Sequence, residues 1–408
     1  MLALYWYQWI IMTQRKHVLL IGAKDHTTAR INQLGQDYSL IQLEYLATDR
    51  QQASASHYVE LPITQAEMVQ PDIIQKVMAL AIEIHRKRPI DAVVTFLEFT
   101  QEVTHEIAQI LSIPSNIGGT ALALTRCKLA MRAAIAKAGI STVLYSEISS
   151  LEQLYEFCQK QSLPIILKPS RGAASAGVCL IETEDQIADA YDHAAQYSSD
   201  PLIAETYIDS QNEISVETIS RSGEHQIVAI TQKQVQGPPF FVEEGHCQPA
   251  NLPIQLSDEI YALVLRLLTL IEHQTGPAHT EIKIWNGRPY IIESQIRIGG
   301  DQIWELTEIT TGISQIKETI IHLLSLPSAP PTTRSPAAAI RFIMPDTHNL
   351  RRPQVVGISE PSIIRISLEP DSQWKAASRA THSGQRLGYI MAKGETVEQV
   401  NSVINNVI

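Results

Sequence analysis

A chain of 408 residues, 44% hydrophobic and 18% charged, is long enough for two or three globular domains and does not have the composition of a disordered protein. Its net charge of −11 denies it the basic face that neutralising a phosphate backbone requires, which excludes a general nucleic-acid binder. Cys127, Cys158, Cys179 and Cys247 lack C-x-x-C spacing, so neither zinc nor a disulfide framework is indicated, and a reducing cytoplasm is the expected compartment.

The first twelve residues are apolar and aromatic. No basic residues precede them, no small-residue cleavage site follows, and they are too short to span a bilayer. Residues 1–15 are expected as a disordered extension, with a peripheral membrane or partner contact as the alternative. The run 17–22 then reads as a strand ending in glycine, followed by helical character from about Thr28. A second strand at 40–43, a helix over 73–88 and a third strand at 92–96 continue a doubly wound α/β domain over 16–115. Gly22 stands alone where G-x-G-x-x-G needs three glycines, so no nicotinamide site is read. Glu98 falls just past the third strand, where open α/β sheets place ligand contacts; on position alone it is also an ordinary helix-start carboxylate.

Residues 120–138 read as one helix closed by Gly139 and carrying Arg126, Lys128 and Arg132. The stretch 165–181 is a strand, a loop of small residues and a second strand. Gly172 and Gly177 let backbone amides close on an anion, Ser170 and Ser175 can donate hydroxyls, and Lys168 brings a fixed charge. This is a phosphate cradle or a plain flexible hairpin; it is not a P-loop, because G-x-x-x-x-G-K-[ST] is absent. A strand at 202–208 precedes a hairpin of 213–219 with 227–230. The turn-rich segment 237–246 reads as a long irregular loop that leaves His246 free-standing, and an isolated histidine there is more often structural than catalytic.

After an amphipathic helix over 257–274, Asn286-Gly287 sits between two alternating runs, the strongest short-range signal for a two-residue hairpin. Glu281 and Glu293 then lie near the same end of the ribbon, with Gln295 and Arg297 following. Carboxylates, an amide and an arginine around one spot suit magnesium that is itself holding phosphates, although the same residues could be the solvated charges of a surface hairpin. Helices over 301–308 and 314–324, a Pro-rich linker at 327–336 and a small C-terminal α+β unit over 337–408 complete the expected order.

A lysine on a helix, a lysine-led small-residue hairpin, Glu205, an acidic strand, a histidine loop and a paired-glutamate hairpin ending in Arg-x-Gly-Gly-Asp together resemble the ATP-grasp superfamily of carboxylate–amine ligases, from about Ser115 to Leu324. Within it the order is most similar to the L-amino acid ligases that join two amino acids into a dipeptide. The resemblance implies an α/β ATP-grasp fold with a small subdomain over 116–205 and a large one over 206–326. It implies ATP and two magnesium ions, with manganese as a substitute. Lys128, Lys168 and the flap 171–177, which includes Ser175, would meet the phosphates. Glu205 would lie at the adenine hinge and Glu213 near the ribose, while Glu281, Glu293 and Gln295 would hold metal. Glu98, His246, Arg297, Gly299 and Gly300 would bind the amino acids, with Arg297 and His246 in catalytic roles. Two departures stand out: Gln295 occupies a position where these ligases more often carry asparagine, and the spacing from Glu205 to Glu213 is one residue longer than usual.

The expected activity phosphorylates the carboxylate of one L-amino acid and condenses the acyl phosphate with the amine of a second, releasing ADP and phosphate. The alternatives are a ligase with a non-amino-acid acceptor and a non-catalytic ATP-binding regulatory protein. The partners expected are small-molecule amino acids and a second copy in a homodimer, without nucleic acid or a membrane span. Walls near Phe240-Phe241, Trp304 and the segment after Glu98 would set which amino acids enter.

Overall fold

The sequence of β1 (His17–Ile21) requires cover on both faces: Val18 and Leu20 point into one apolar cluster, Leu19 and Ile21 into another. In this computed structural model the described residues are 15–172, 176–238, 241–328, 334–345, 362–370, 372, 374, 380 and 382–407. The expected extension up to residue 14, Ser175, Phe240 and linker residues 329–333 lie outside them, whereas Phe241 is described and lines the main cavity. Among the described residues no helix is long and apolar enough to cross a membrane.

β1 lies in a parallel sheet with β2 (Asp37–Leu43), β3 (His57–Leu61) and β4 (Ala92–Val94), in the order β3-β2-β1-β4. The sequence reading missed β3, a short edge strand whose residues are mostly half-exposed and so carry little periodic signal. Helices Pro71–Lys87 and Gln101–Leu111 cover one face. The other face is covered from far along the chain, by Ile316 and Ile320 of helix Gln315–Leu323. Strand order reverses between β1 and β4, and the crevice beyond their carboxyl ends holds Gly22 and Glu98. Gly22 has φ +65°, and a Cβ there would lie 2.9 Å from Leu97 Cδ1.

An antiparallel sheet of β5 (Tyr145–Ile148), β6 (Ile165–Pro169), β7 (Cys179–Ile181) and β8 (Leu202–Thr206) has the order β5-β8-β6-β7. The largest sheet contains β9 (Glu213–Arg221), β10 (Glu224–Val235), β11 (Glu243–Gln248), β12 (Gly276–Trp285), β13 (Arg288–Gln295), β14 (Ala337–Phe342), β15 (Ile363–Leu368) and β16 (Gly388–Gly394). Its order is β13-β12-β9-β10-β11-β14-β16-β15. Asn286 and Gly287, with φ +50° and +74°, turn the β12–β13 hairpin at the Trp285–Arg288 pair, as the sequence predicts.

Two expectations need correction. The single helix over 120–138 is two, Gly119–Thr125 and Lys128–Lys137, because Cys127 between them is extended. The break makes Lys128 the first residue of a helix, and its amide donates to the Ser170 carbonyl at 2.7 Å. These helices do not belong to a small unit beginning at 116, since Ala121, Met131 and Ile135 share a core with β9, β12 and helix Ile254–Leu270. The C-terminal α+β unit continues the largest sheet: β14 pairs with β11, His246 opposite Ile340. Its Ala-Ala-Ala-Ile-Arg-Phe sequence is buried at five of six positions, and an apolar strand of this kind satisfies its backbone by extending an existing edge.

The β11–β14 seam leaves no space at Gly245, where a Cβ would stand 2.6 Å from the Ile340 carbonyl oxygen. Gly245→Ala is expected to lower the stability of the folded chain by about 1–3 kcal/mol in urea denaturation, whereas Gly287→Asn, in open space at the hairpin tip, should change it little.

Candidate active site

A cavity of about 550 Å³ lies between the three sheets. Its acidic wall is the β12–β13 hairpin, where Glu281 and Glu293 are direct cross-strand partners. Two like charges at this spacing repel unless cations are built in beside them. Lys233 on β10 supplies one, donating to Glu281 Oε1 at 2.6 Å and lying 2.7 Å from Glu213 Oε1 and 4.0 Å from Glu243 Oε1. Lys128 supplies another, 3.2 Å from Glu293 Oε2. Burial alone would raise both hairpin carboxyls; Lys233 and His279 hold Glu281 well below the usual carboxylate range, and Lys128 holds Glu293 below it. Burial likewise works against the Lys233 ammonium, but Glu281, Glu213 and Glu243 together keep it protonated well above the ordinary lysine range.

His279 Nδ1 sits 2.9 Å from Glu217 Oε1, with its Nε2 3.4 Å from Glu281 Oε1. Burial disfavours the imidazolium, yet Glu217 and Glu281 raise His279 to about 9. Gln295 donates its amide to Glu293 Oε1, and its own buried Oε1 has no hydrogen-bond partner among the described residues. That unused amide oxygen beside two facing carboxylates fits a hard divalent cation with oxygen ligands.

At the neighbouring end, Lys128 Nζ donates to the Gly172 carbonyl at 2.8 Å, at the edge of the small-residue loop. Lys168 and Arg132 both hold Glu205, at 2.7 Å each. Burial would push the Glu205 carboxyl up, but the two cations bring it down to about 2. Both Glu205 oxygens are thus engaged by cations of the protein itself. Arg132 also donates to the carbonyls of Ile291 and Ile292, at 3.0 and 3.4 Å, tying β8 to β13.

At the opposite end Glu98 and Arg297, 199 residues apart in sequence, meet at 3.2 Å, and Arg126 donates to the other Glu98 oxygen at 2.7 Å. His246 is not on a loop: it lies on β11, 2% exposed, with its ring edge-on to Phe342. Neither of its ring nitrogens has a hydrogen-bond partner among the described residues; the nearest carboxylate, Asp301, is 3.6 Å away. Asp301 accepts two hydrogen bonds from Arg386, at 2.6 and 2.8 Å. Asp301 and Gln302 are consecutive left-handed residues, and a Cβ on the preceding Gly299 would stand 2.7 Å from Ile303. Gly299 lines a second chamber of about 210 Å³ walled by Leu43, Phe96, Leu97 and Trp304; it meets the main cavity at Glu98, Arg297 and Gly300.

The structure therefore brings Lys128, Lys168, Glu205, Glu213, Glu281, Glu293, His246, Arg297, Glu98 and Gly300 around one space. Sequence reasoning assigned no role to Lys233, Glu217, His279, Asp301 or Arg386. Lys233 could have been found as the lysine within the Ile-Thr-Gln-Lys-Gln-Val run, at an inward position of a strand. Arg386 leaves no such trace, because only the three-dimensional fold brings it to Asp301.

Replacing Glu205 with Gln strands two buried cations, at a cost of about 3–5 kcal/mol near neutral pH. The unfolded carboxyl protonates near 4.5 and the folded one only at about 2, so the contribution is complete above 4.5 and is lost as pH falls toward 2. Urea midpoints of wild type and Glu205→Gln should accordingly converge as pH is lowered from 5 to 3.

Residues 161–305 match the family model of the ATP-grasp domain. Alanine–anticapsin ligase of Bacillus subtilis (strain 168) is 28% identical over 198 residues, which are 43% of this chain and 42% of that enzyme; the match thus spans less than half of the relative's length. The L-arginine-specific L-amino acid ligase of Bacillus subtilis is 26% identical over 58% of each chain. Among solved structures, an L-amino acid ligase from Bacillus licheniformis superposes with a TM-score of 0.75 at 20% identity, over 97% of this chain and 98% of that one. A biotin carboxylase from Campylobacter jejuni does so with 0.72 at 16% identity, over 96% and 90%. At these identities the structural likeness shows the fold.

Proposed function

Since this chain has the ATP-grasp fold, we propose that it is an ATP- and magnesium-dependent carboxylate–amine ligase that joins two small amino acids into a dipeptide. The observation that carries the proposal is a single cavity with the Glu281 and Glu293 carboxylates, Lys128 and Lys168 at one end and the Glu98–Arg297 pair at the other. The two ligases among its sequence relatives support the amino-acid reading.

A carboxylate resists attack by an amine because oxide is a poor leaving group. Attack of a carboxylate oxygen on the γ-phosphorus of ATP, with ADP departing, yields an acyl phosphate. The amine nitrogen of the second amino acid then adds to its carbonyl carbon, phosphate leaves with the C–O bond electrons, and the nitrogen loses its extra proton. Glu281, Glu293 and Gln295 would hold magnesium, which would supply charge neutralisation on the polyphosphate. Lys128 and Lys168 exchange their carboxylate and carbonyl partners for phosphate oxygens, and Arg132 keeps Glu205 compensated when Lys168 turns away. Arg297 presents a planar fork to the reacting carboxylate or the developing oxyanion, near the Gly299-Gly300 backbone. Glu98 receives the α-ammonium of the first amino acid. His246, buried beside Asp301 with both ring nitrogens available, either carries a proton or fixes the substrate carboxylate.

A non-amino-acid acceptor is the second reading, favoured by the biotin carboxylase that shares the fold. A non-catalytic nucleotide binder is disfavoured by the joint presence of both metal carboxylates, both lysines and Arg297.

Purified protein given Mg-ATP and paired amino acids should release phosphate only when both are present, with a product mass equal to their sum less one water. Phosphate release that needs a single amino acid would point to another acceptor. Glu293→Ala is expected to lose at least about 100-fold in kcat with weakened ATP binding, read by coupled phosphate release and by nucleotide titration. Glu98→Ala should raise KM for the first amino acid by about 10- to 100-fold and leave the Kd for ATP unchanged, the loss of one charged hydrogen-bond partner.

A further inference from the structure

Lys128, Lys168 and Lys233 line the nucleotide end of the cavity together with Lys283, and they are not equivalent. Lys128 keeps 16% of its side chain exposed and holds Glu293 at 3.2 Å, a contact it can trade for a phosphate. Lys168 can do the same, because its partner Glu205 retains Arg132. Lys233 has no such freedom. Its side chain is 3% exposed, it is locked between Glu213 and Glu281 at 2.7 and 2.6 Å with Glu243 at 4.0 Å, and those three carboxylates stand on three different strands.

Lys233 also occupies the ground that a cation would want. It engages Glu281 Oε1, which His279 Nε2 approaches at 3.4 Å, and so leaves Oε2 as the metal-facing oxygen. Among the described residues no three His, Cys, Asp or Glu side chains cluster closely enough to hold a metal by themselves. A bare dication at Glu281 would thus meet few protein ligands and, a few ångströms away in a poorly screened interior, a fixed ammonium of its own sign. A cation already bound to a triphosphate brings oxygen ligands and negative charge enough to offset that repulsion.

We propose that Lys233 is a positioning residue that acts as a permanent internal counter-ion, keeping the metal site closed to a free divalent cation and opening it only to one that arrives with a nucleoside triphosphate. The inference rests on the assignment of Glu281 and Glu293 to metal made above. It assigns a function to a buried lysine that touches neither phosphate nor amino acid: it prevents the acidic hairpin from trapping metal in the absence of nucleotide and sets which Glu281 oxygen faces the metal.

The test is retention of Mn²⁺ on ultrafiltration, with and without an unhydrolysable ATP analogue, for wild type, Lys233→Met and Lys233→Arg. Wild type should retain Mn²⁺ strongly only with the analogue. Lys233→Met should bind Mn²⁺ alone at least about tenfold more tightly than wild type, and Lys233→Arg, which keeps the charge, should behave as wild type. Equal nucleotide-free affinity in wild type and Lys233→Met, with analogue-dependent retention intact in both, overturns this inference and leaves the ligase reading standing. Tight retention of free Mn²⁺ by wild type overturns it without need of any variant, so the test survives a Lys233→Met protein that fails to fold. Failure of wild type to retain Mn²⁺ even with the analogue overturns the metal assignment, and this inference with it.

Discussion

Glu205 lies between Lys168 and Arg132, and Arg132 continues to the backbone of β13. That chain of charge-assisted bonds joins the small antiparallel sheet to the strand that carries Glu293. Buried ion pairs of this kind contribute little net stability, because desolvation offsets most of the attraction; their effect here is geometric. With Arg132 spanning the two sheets, Lys168 and the carboxylates of the β12–β13 hairpin face the same cavity. The same arrangement leaves Glu205 compensated by Arg132 whenever Lys168 turns away.

The other end of the cavity is fixed by packing rather than charge. The parallel sheet offers Val18, Leu20 and Val94 to Ile316, Ile320 and Trp304, so the N-terminal unit has part of its core supplied by residues some 200 to 300 positions later. Burying each such side chain is worth about 1.5–3 kcal/mol, and together they hold the two units in one register. Arg30 reinforces it, pairing with Glu308 at 2.9 Å and lying over the Trp304 ring. Glu98 and Arg297 meet across this packed interface, which holds two side chains more exactly than a mobile loop would.

Much of this was legible in the sequence where a local rule acts alone. Asn286-Gly287 dictates its own turn, and the facing of Glu281 and Glu293 follows from it; β1, β4 and the helix Pro71–Lys87 announce themselves by periodicity. The signal failed where long-range context decides. Residues 237–246 look like a loop because glycine and prolines dominate the first half, yet Glu243 to Gln248 form a strand, drawn into order by edges of β10 and β14 on either side. The break at Cys127 interrupts a stretch of good helix formers, and its reason is tertiary: an extended Cys127 brings the Lys128 amide to Ser170 and the Lys128 ammonium to Glu293. The sequence leaves His246 free-standing on a loop; it is buried on a strand, and its lack of partners among the described residues is the more informative for that, since an unsatisfied buried imidazole is costly unless a ligand completes it.

The C-terminal strands show why a site can depend on residues that no motif marks. Joined to β11 through β14, they carry the segment 383–386 to the rim of the cavity, where Ser383 donates to Glu243 at 2.7 Å and Arg386 grips Asp301. Asp301 sits in a left-handed conformation that a non-glycine residue adopts only when its surroundings compel it, and the Arg386 fork, stacked on Phe342 at 3.7 Å, provides that compulsion. The backbone at Gly299-Gly300 is thereby aimed at the place where Arg297 and Glu98 meet. A region that looks like an appendage in the sequence is, in the folded chain, the outer brace of the Glu98–Arg297 end of the cavity, and it shares one continuous eight-stranded sheet with the acidic Glu281–Glu293 hairpin at the far edge.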